Sequence, residues 1–404
     1  MEKAYWIEYK GRYKLDRISK NNLIQDYKIK YINRFNELPS FVSIAPGRVN
    51  IIGEHTDYNK GFAIPAAVNK WILTLVSIRK DRTINVFSLN YKKTLRFSYD
   101  HLDLSGELWE KYVKATIYLI KEKYNVKKGF NMLIGGNIPI GFGLSSSAAL
   151  EVSIVSSIVK LFALKIDNFE VLKICNLIEN KILGIKSGFL DQYASIFSKK
   201  NKFLFIDFEN LTHQYFDSNI NNGCWILVNS MVDRKLIFSD YNQRVIECSD
   251  AIEFLNQKIK QKIDFNSIST ELIEIIKENK IFYNRLLHII TENQRVFEMK
   301  KAILSGDLNL IGKILNQSHN SLANNYNVSC NEIDFIIEIS KRENGFLGGR
   351  IMGGGFGGCT INLIDKKIKN KFISNIKKSF YKKYRYNVVV EEFLFSSGLN
   401  VVKV

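Results

Sequence analysis

Four short stretches of this chain gather residue types able to do chemistry. The first, SIAPGRVNIIGEHTDYNKGFAIPAA, holds Arg48, Glu54, His55 and Asp57 within ten residues. A carboxylate accepts hydrogen bonds from two adjacent hydroxyls, and a neutral imidazole both donates and accepts. Glu54-His55-Thr56-Asp57 therefore suits a sugar or polyol, with a solvated polar loop as the competing reading. Zinc binding by His55 is disfavoured, because no HExxH or Cys/His spacing accompanies it and His101, His213, His288 and His319 are scattered. The second stretch is GNIPIGFGLSSSAALEVS, Gly136 to Ser153. Strand, glycine loop and helix start follow in that order, so successive backbone N–H groups and a helix N-terminus offer a cradle for phosphate oxygens. Three serines add hydroxyls where a phosphate or hydrated Mg²⁺ would sit. A serine-capped tight turn accounts for Gly143 and Ser145 but not for three consecutive serines.

The third stretch, SGFLDQYAS, places Asp191 beside Phe189 and Leu190, an apolar setting that favours a carboxylate acting as proton acceptor. An N-cap aspartate on a helix Gln192–Phe197 fits the local pattern equally well. The fourth is GGGFGGC, which serves as a second phosphate loop or as a flexible turn. No GxxxxGK[ST] loop occurs, and Gly141-Phe142-Gly143, followed by Leu144, Ser145 and Ser146, lacks the third glycine of a dinucleotide-binding GxGxxG.

The elements needed to position these stretches read as a mixture of strands and helices. Phe41–Ala45 is predicted as a strand running into a Pro46-Gly47 turn, followed by strands Trp71–Ile78, Thr83–Leu89 and Phe130–Ile134 and a helix Trp109–Lys123. Ser145 is expected to cap a small-residue helix reaching about Leu164, and a second helix runs from Asn168 to about Leu183. Phe203–Phe208 and Trp225–Asn229 read as strands, with Leu211–Asn222 between them as the expected domain boundary. The second half reads as helices Tyr241–Ile263, Leu272–Lys280, Asn309–Leu315 and Ile333–Arg342, then a strand Thr360–Ile364. In Lys366–Arg385 the spacing of Ile368, Phe372, Ile373, Ile376 and Phe380 makes the lysines the wet face of an amphipathic helix rather than a nucleic-acid stripe.

Composition bounds the rest. The 404 residues suit two or three domains, and 46% apolar with 24% charged residues exclude disorder and fibrous repeats. The formal charge of +18 would favour anionic partners, although a visible Lys, Asn and Ile bias supplies part of it. Five cysteines without a CxxC pair predict a reduced, cytoplasmic protein. No secretory signal is read at the N-terminus, and no membrane segment: Val152–Leu164 is interrupted by serines and Lys160.

Taken together, the stretches resemble the GHMP kinases, and within them the galactokinases. Gly47 to Pro65 matches GRxNxIGEHTDYxxGxxxP, Pro139 to Leu150 matches PxGxGLSSSAAL, and Gly353 to Cys359 matches GGGFGGC. The resemblance implies a two-domain α+β fold, with a ribosomal-S5-like N-terminal domain at 39–215, a ferredoxin-like C-terminal domain at 216–404, and 1–38 as an extension. It implies transfer of a phosphoryl group from ATP, with Mg²⁺, to the anomeric hydroxyl of galactose by a monomeric enzyme that uses neither nucleic acid nor membrane. Glu54, His55, Thr56, Asp57, the Gly188 backbone and Tyr241 would hold the sugar. Asp191 would be the base, held with the transferring phosphoryl by Arg48. Gly141, Phe142, Gly143, Leu144, Ser145, Ser146 and Ser147 would wrap the phosphates, Ser147 and Glu179 would ligate Mg²⁺, and Ser88 and Trp109 would line the nucleotide pocket.

Three positions depart from the family pattern: Met352 where a threonine is usual, Arg234 for a histidine, and Ser187 for a cysteine. The alternatives are an N-acetylgalactosamine kinase, which shares all three blocks, and a catalytically inert galactose sensor. The complete Ser145–Ala149 run, with Arg48 and Asp191 present, favours the enzyme.

Overall fold

The structure, a computed structural model, describes residues 19–404 except 125, 140, 218 and 233–236, and only the backbone of 237–239. Its first half comprises α1 (Lys20–Phe35), β1 (Phe41–Ile52), β2 (Phe62–Ile78), β3 (Thr83–Ser88), β4 (Lys93–Ser98), α2 (Leu108–Tyr124), β5 (Phe130–Gly136), α3 (Ser146–Leu161), α4 (Asn168–Leu177), α5 (Leu190–Phe197), β6 (Lys202–Asp207) and β7 (Thr212–Asp217). The second comprises β8 (Gly223–Asn229), α6 (Ile237–Ile259), α7 (Thr270–Ile273), α8 (Lys280–Ser305), α9 (Leu308–Asn324), α10 (Asn331–Lys341), β9 (Phe346–Met352), β10 (Cys359–Asp365), α11 (Lys369–Tyr384), β11 (Val389–Glu392) and β12 (Asn400–Lys403). This mixture is an α+β architecture.

The larger sheet has the order β12-β1-β2-β5-β3-β4, with the β6–β7 hairpin joined to the start of β2. Among the described residues only β3 and β5 pair in parallel. The smaller sheet runs β11-β8-β10-β9, antiparallel throughout. β1 and β2 are buried along nearly their whole lengths, because α3 covers one face and α1 the other. Their near-continuous apolar runs follow from that double covering. A single core joins Ile51 and Ile64 of the larger sheet to Leu227, Ile361 and Met352 of the smaller one. No helix among the described residues is long and apolar enough to cross a membrane, and no disulfide links the five cysteines.

Several expected elements come out differently. Pro46-Gly47 is not a turn: β1 continues through it with a register shift between Pro46 and Arg48. β12 pairs with β1 only as far as Ile44, so the N–H that Pro46 lacks is not needed by that edge. The expected boundary Leu211–Asn222 contains strand β7, and the chain's last strand returns to pair with β1. Helix α4 stops at Leu177 and continues as a π-helical turn, Ile178–Ile182, which carries Glu179; such wide turns recur at functional sites. The lysine-rich α11 buries Phe372, Ile376 and Phe380, so its lysines are indeed the wet face of an amphipathic helix.

Candidate active site

The shift in β1 has a direct consequence for Arg48. At Gly47 a side-chain carbon would lie 2.7 Å from the Leu144 carbonyl, so only glycine lets the 141–147 loop close onto the strand. The Arg48 N–H then donates to that same carbonyl at 3.0 Å. The buried Arg48 guanidinium forks: Nε and Nη2 reach Asp191 Oδ1 at 2.6 and 2.5 Å, and Nη1 donates to the Gly143 carbonyl at 2.6 Å. Ser145 Oγ donates to the other oxygen, Asp191 Oδ2. Asp191 therefore caps no helix. It sits inside the first turn of α5, and the N-cap position belongs to Phe189. Ser145, in the left-handed region with φ 52°, likewise makes no capping bond, because its hydroxyl is committed to Asp191.

The β1–β2 loop folds back over this pair. Glu54 is buried, with Oε2 accepting from Asn50 Nδ2 at 2.6 Å and from Arg350 Nη2 at 2.8 Å, and Oε1 accepting from the Gly353 N–H. His55 adopts φ 64°, a conformation costing a side-chain-bearing residue ~1–2 kcal/mol. It is held there by Asn59 Nδ2 on its carbonyl at 2.8 Å. Burial, with His288 nearby, pushes the His55 imidazole well below its ordinary pKa, so the ring is neutral. Asp57 is pushed up to about 7 by burial and by Asp191. A side-chain carbon on Gly188 would collide with the Asp57 carboxylate at 2.1 Å, which explains the glycine there.

On the opposite side, Glu179 is buried and its carboxyl is raised by burial, with Asp191 adding to the shift and Ser187 opposing it. Ser187 Oγ and Gln192 Nε2 (2.9 Å) bond its Oε2, and Tyr112 OH reaches Oε1 at 3.4 Å. The Ser187 departure thus places a hydroxyl donor on Glu179. These elements enclose a cavity of about 160 Å³ lined by Arg48, Glu54, His55, Asp57, Ser147, Glu179, Gly188, Asp191, Tyr241 and the Gly353-Gly354 backbone.

Not every expected site residue faces this cavity. Thr56 Oγ1 donates to the Gly53 and Phe62 carbonyls (3.0 and 2.7 Å), so its hydroxyl braces the loop instead of meeting a ligand. The Phe142 and Leu144 side chains are buried in the core, leaving only their backbone to the glycine loop. Gly141 is held by Asn229 Nδ2 on its carbonyl at 3.3 Å. Ser146 opens α3. Ser88 and Trp109 sit together around Tyr91: Trp109 stacks on that ring at 5.8 Å, and Ser88 Oγ accepts from its N–H at 3.4 Å. That corner is tied to Gly136 through Asn90, away from the cavity. Met352 is buried in the core, and Arg234 lies outside the described residues. Sequence reasoning passed over Asn50, Gln192, Arg350 and Glu292. Asn50, Gln192 and Arg350 stood within the motif strings, whereas Glu292 carried no local signal.

Among the described residues no cluster of three or more His, Cys, Asp or Glu could hold a metal by itself. Ser147 and Glu179 supply oxygen atoms only, at a cavity wall where a buried carboxyl lies beside Asp191. That donor set fits Mg²⁺ arriving with phosphates, which completes its shell with waters and phosphate oxygens.

Comparisons with known proteins point to one family. The model of the GHMP kinases N terminal domain matches residues 111–199, the galactokinase galactose-binding signature residues 29–78, and the GHMP kinases C terminal model residues 299–382. A galactokinase of Clostridium perfringens is 35% identical over 359 residues, covering 87% of this chain and 93% of the relative. One from Staphylococcus carnosus is 33% identical over 388 residues, covering 95% and 100%. The crystal structure of Lactococcus lactis galactokinase complexed with galactose superposes with a TM-score of 0.89 at 30% identity, covering 95% and 100% of the two chains. A mevalonate kinase at 18% identity and TM-score 0.62 shares the fold alone. The chain belongs to the GHMP kinases, and within them to the galactokinase family. It has their two-domain α+β fold and is an ATP-dependent sugar kinase.

Proposed function

We propose that this protein transfers the γ-phosphoryl group of ATP to the anomeric hydroxyl of α-D-galactose, giving galactose 1-phosphate and ADP. The observation that carries the reading is the Arg48–Asp191–Ser145 cluster, which joins the hydroxyl-binding loop to the glycine–serine loop at one cavity wall. In this reading Glu54, His55, Asp57, the Gly188 backbone and Tyr241 hold the sugar. Asp191 accepts the proton of the attacking hydroxyl, while the Arg48 guanidinium offsets charge on that oxygen and on the phosphoryl group. Phosphoryl transfer depends on such positioning and charge neutralisation more than on covalent chemistry.

The backbone of Gly141–Ser147 cradles the phosphates, and the Ser88–Trp109 corner takes the base. Ser147 and Glu179 would hold Mg²⁺, which when bound neutralises phosphate charge. A monomeric, cytoplasmic enzyme is part of the proposal, supported by the family resemblance and by a sequence whose five cysteines form no CxxC motif.

The test is ADP formation from ATP and Mg²⁺ with galactose, N-acetylgalactosamine, galactosamine, arabinose and mevalonate. Galactose is expected to turn over, and Asp191→Asn to lower kcat by ~10²–10⁴-fold. Turnover with N-acetylgalactosamine alone would move the substrate assignment. Tight galactose and ATP binding without turnover would replace the kinase with a sensor.

A further inference from the structure

A line of buried hydrogen bonds ends on His55. Cys248 Sγ lies 2.9 Å from the Tyr326 hydroxyl, which lies 2.9 Å from the Tyr58 hydroxyl, which lies 2.7 Å from His55 Nδ1. Cys248 and Tyr326 are fully buried. At the other side of the imidazole, Nε2 is buried without a partner among the described residues, on a ring that lines the cavity. A buried ring nitrogen left unbonded in the free protein is aimed at something the cavity receives. Whether it offers a donor or an acceptor there depends on which nitrogen carries the proton, and the bond at Nδ1 decides that.

The direction of the line follows from its histidine end. A phenol is the better donor and an imidazole nitrogen the better acceptor, so Tyr58 O–H donates to Nδ1. The Tyr58 oxygen is then left to accept from the Tyr326 O–H, and the Tyr326 oxygen to accept from the Cys248 S–H. The opposite direction would replace the phenol-to-imidazole bond with an imidazole N–H on a phenol oxygen, the weaker pairing.

We infer that Tyr58, Tyr326 and Cys248 are positioning residues that lock His55 in its Nε2–H form, making it an obligate hydrogen-bond donor to a substrate hydroxyl oxygen. The cavity then presents one fixed donor, His55, opposite a carboxylate acceptor, Asp57. A polyhydroxylated ligand can satisfy both, whereas a ligand offering only donors cannot satisfy His55. The identity of that ligand rests on the galactose reading; the tautomer does not.

The experiment uses the full chain labelled with ¹⁵N-histidine. The chain has five histidines, and His55→Asn identifies the His55 signals. In the ligand-free wild type the expected spectrum shows His55 Nε2 protonated and Nδ1 bare. Tyr58→Phe, which deletes the donor to Nδ1, is expected to give a mixture of both tautomers. It should also raise the galactose KM by about three- to tenfold, the scale of one hydrogen bond, with kcat within about twofold. Tyr326→Phe, one step removed and retaining Tyr58, should shift the tautomer in the same sense by less. A wild-type His55 protonated at Nδ1, or an unchanged tautomer in folded Tyr58→Phe and Tyr326→Phe, would overturn the inference. If the tautomer behaves as stated but galactose is not phosphorylated, the sugar reading fails and the positioning role stands.

Discussion

In the proposed sugar site, Asp57 is the residue whose protonation would govern capture. Its carboxyl, raised to about 7 first by burial and then by the neighbouring Asp191, is half ionised at neutral pH. Only the ionised form is a pure acceptor for sugar hydroxyls. The galactose kcat/KM, which reports free-enzyme ionisations, should therefore rise about tenfold between pH 6 and pH 8, as the ionised fraction goes from roughly one-eleventh to ten-elevenths. A flat profile over that range would mean that ionisation of Asp57 between pH 6 and pH 8 does not control sugar binding. The same shift acts on stability with the opposite sense. A carboxyl with a raised folded pKa binds its proton more tightly folded than unfolded, so stability falls as pH rises from about 4 toward 7. Asp57→Asn should lessen that fall while weakening galactose binding. Much of this chemistry was legible in the residue string, because Arg48 to Asp57 and Gly141 to Ser147 each act as a local unit. The support was not: Arg350 reaches Glu54 across 296 residues of chain, a pairing that no local pattern announces.

Among the elements, α8 holds the β1–β2 loop from outside. Its Glu292 is fully buried and accepts from the Gly53 and Glu54 N–H groups (3.0 and 3.3 Å), from Ser318 Oγ at 2.8 Å and from Arg295 Nε at 2.7 Å. Burial alone would raise this carboxyl, but Arg295, with His288 and Arg350 behind it, overrides burial and holds it at about 2. One turn back, His288 Nε2 donates to the Glu54 carbonyl at 3.1 Å. Glu292→Ala removes the acceptor and leaves Arg295 buried and unpaired, a change costing about 3–5 kcal/mol. Urea unfolding should show that loss, and the galactose KM should rise more than kcat falls. The contribution of the ionised Glu292 is present above the unfolded value near 4.5 and disappears as pH falls toward 2. The stability gap between wild type and Glu292→Gln should accordingly close over that window. The same residues explain why α8 was missed in the sequence. Its buried positions include Arg285, His288, Glu292 and Arg295, which interrupt the apolar periodicity that reveals a helix. β4 escaped because it is an edge strand with hardly a buried side chain. The helices α3, α10 and α11, which bury apolar stripes, were readable within a few residues.

At the scale of the whole molecule, the two sheets are joined both by a shared core and by the chain's own return. β12 pairs Asn400–Lys403 with Phe41–Ile44, at the end of β1 opposite to Arg48 and the sugar loop. The Val404 N–H adds a bond to the Ser40 carbonyl at 3.1 Å. Two apolar residues of the covered β1 segment, Val42 and Ile44, are fully buried in the cluster under α1. Without β12 the first part of β1 becomes an unpaired sheet edge, a template for intermolecular pairing. The polar site lies beyond the β1 bulge and is fastened separately, by Arg350 on the Asn50 and Ile51 carbonyls and by Glu292 on Gly53 and Glu54. Deleting residues 400–404 should therefore separate stability from catalysis. The truncated chain is expected to melt several degrees lower and to aggregate at concentrations the full chain tolerates, while kcat and the galactose KM of the folded fraction stay within about twofold. A loss of turnover equal to the loss of stability would mean that β12 tensions the whole of β1, and that the bulge at Pro46–Arg48 does not isolate the site from its far end.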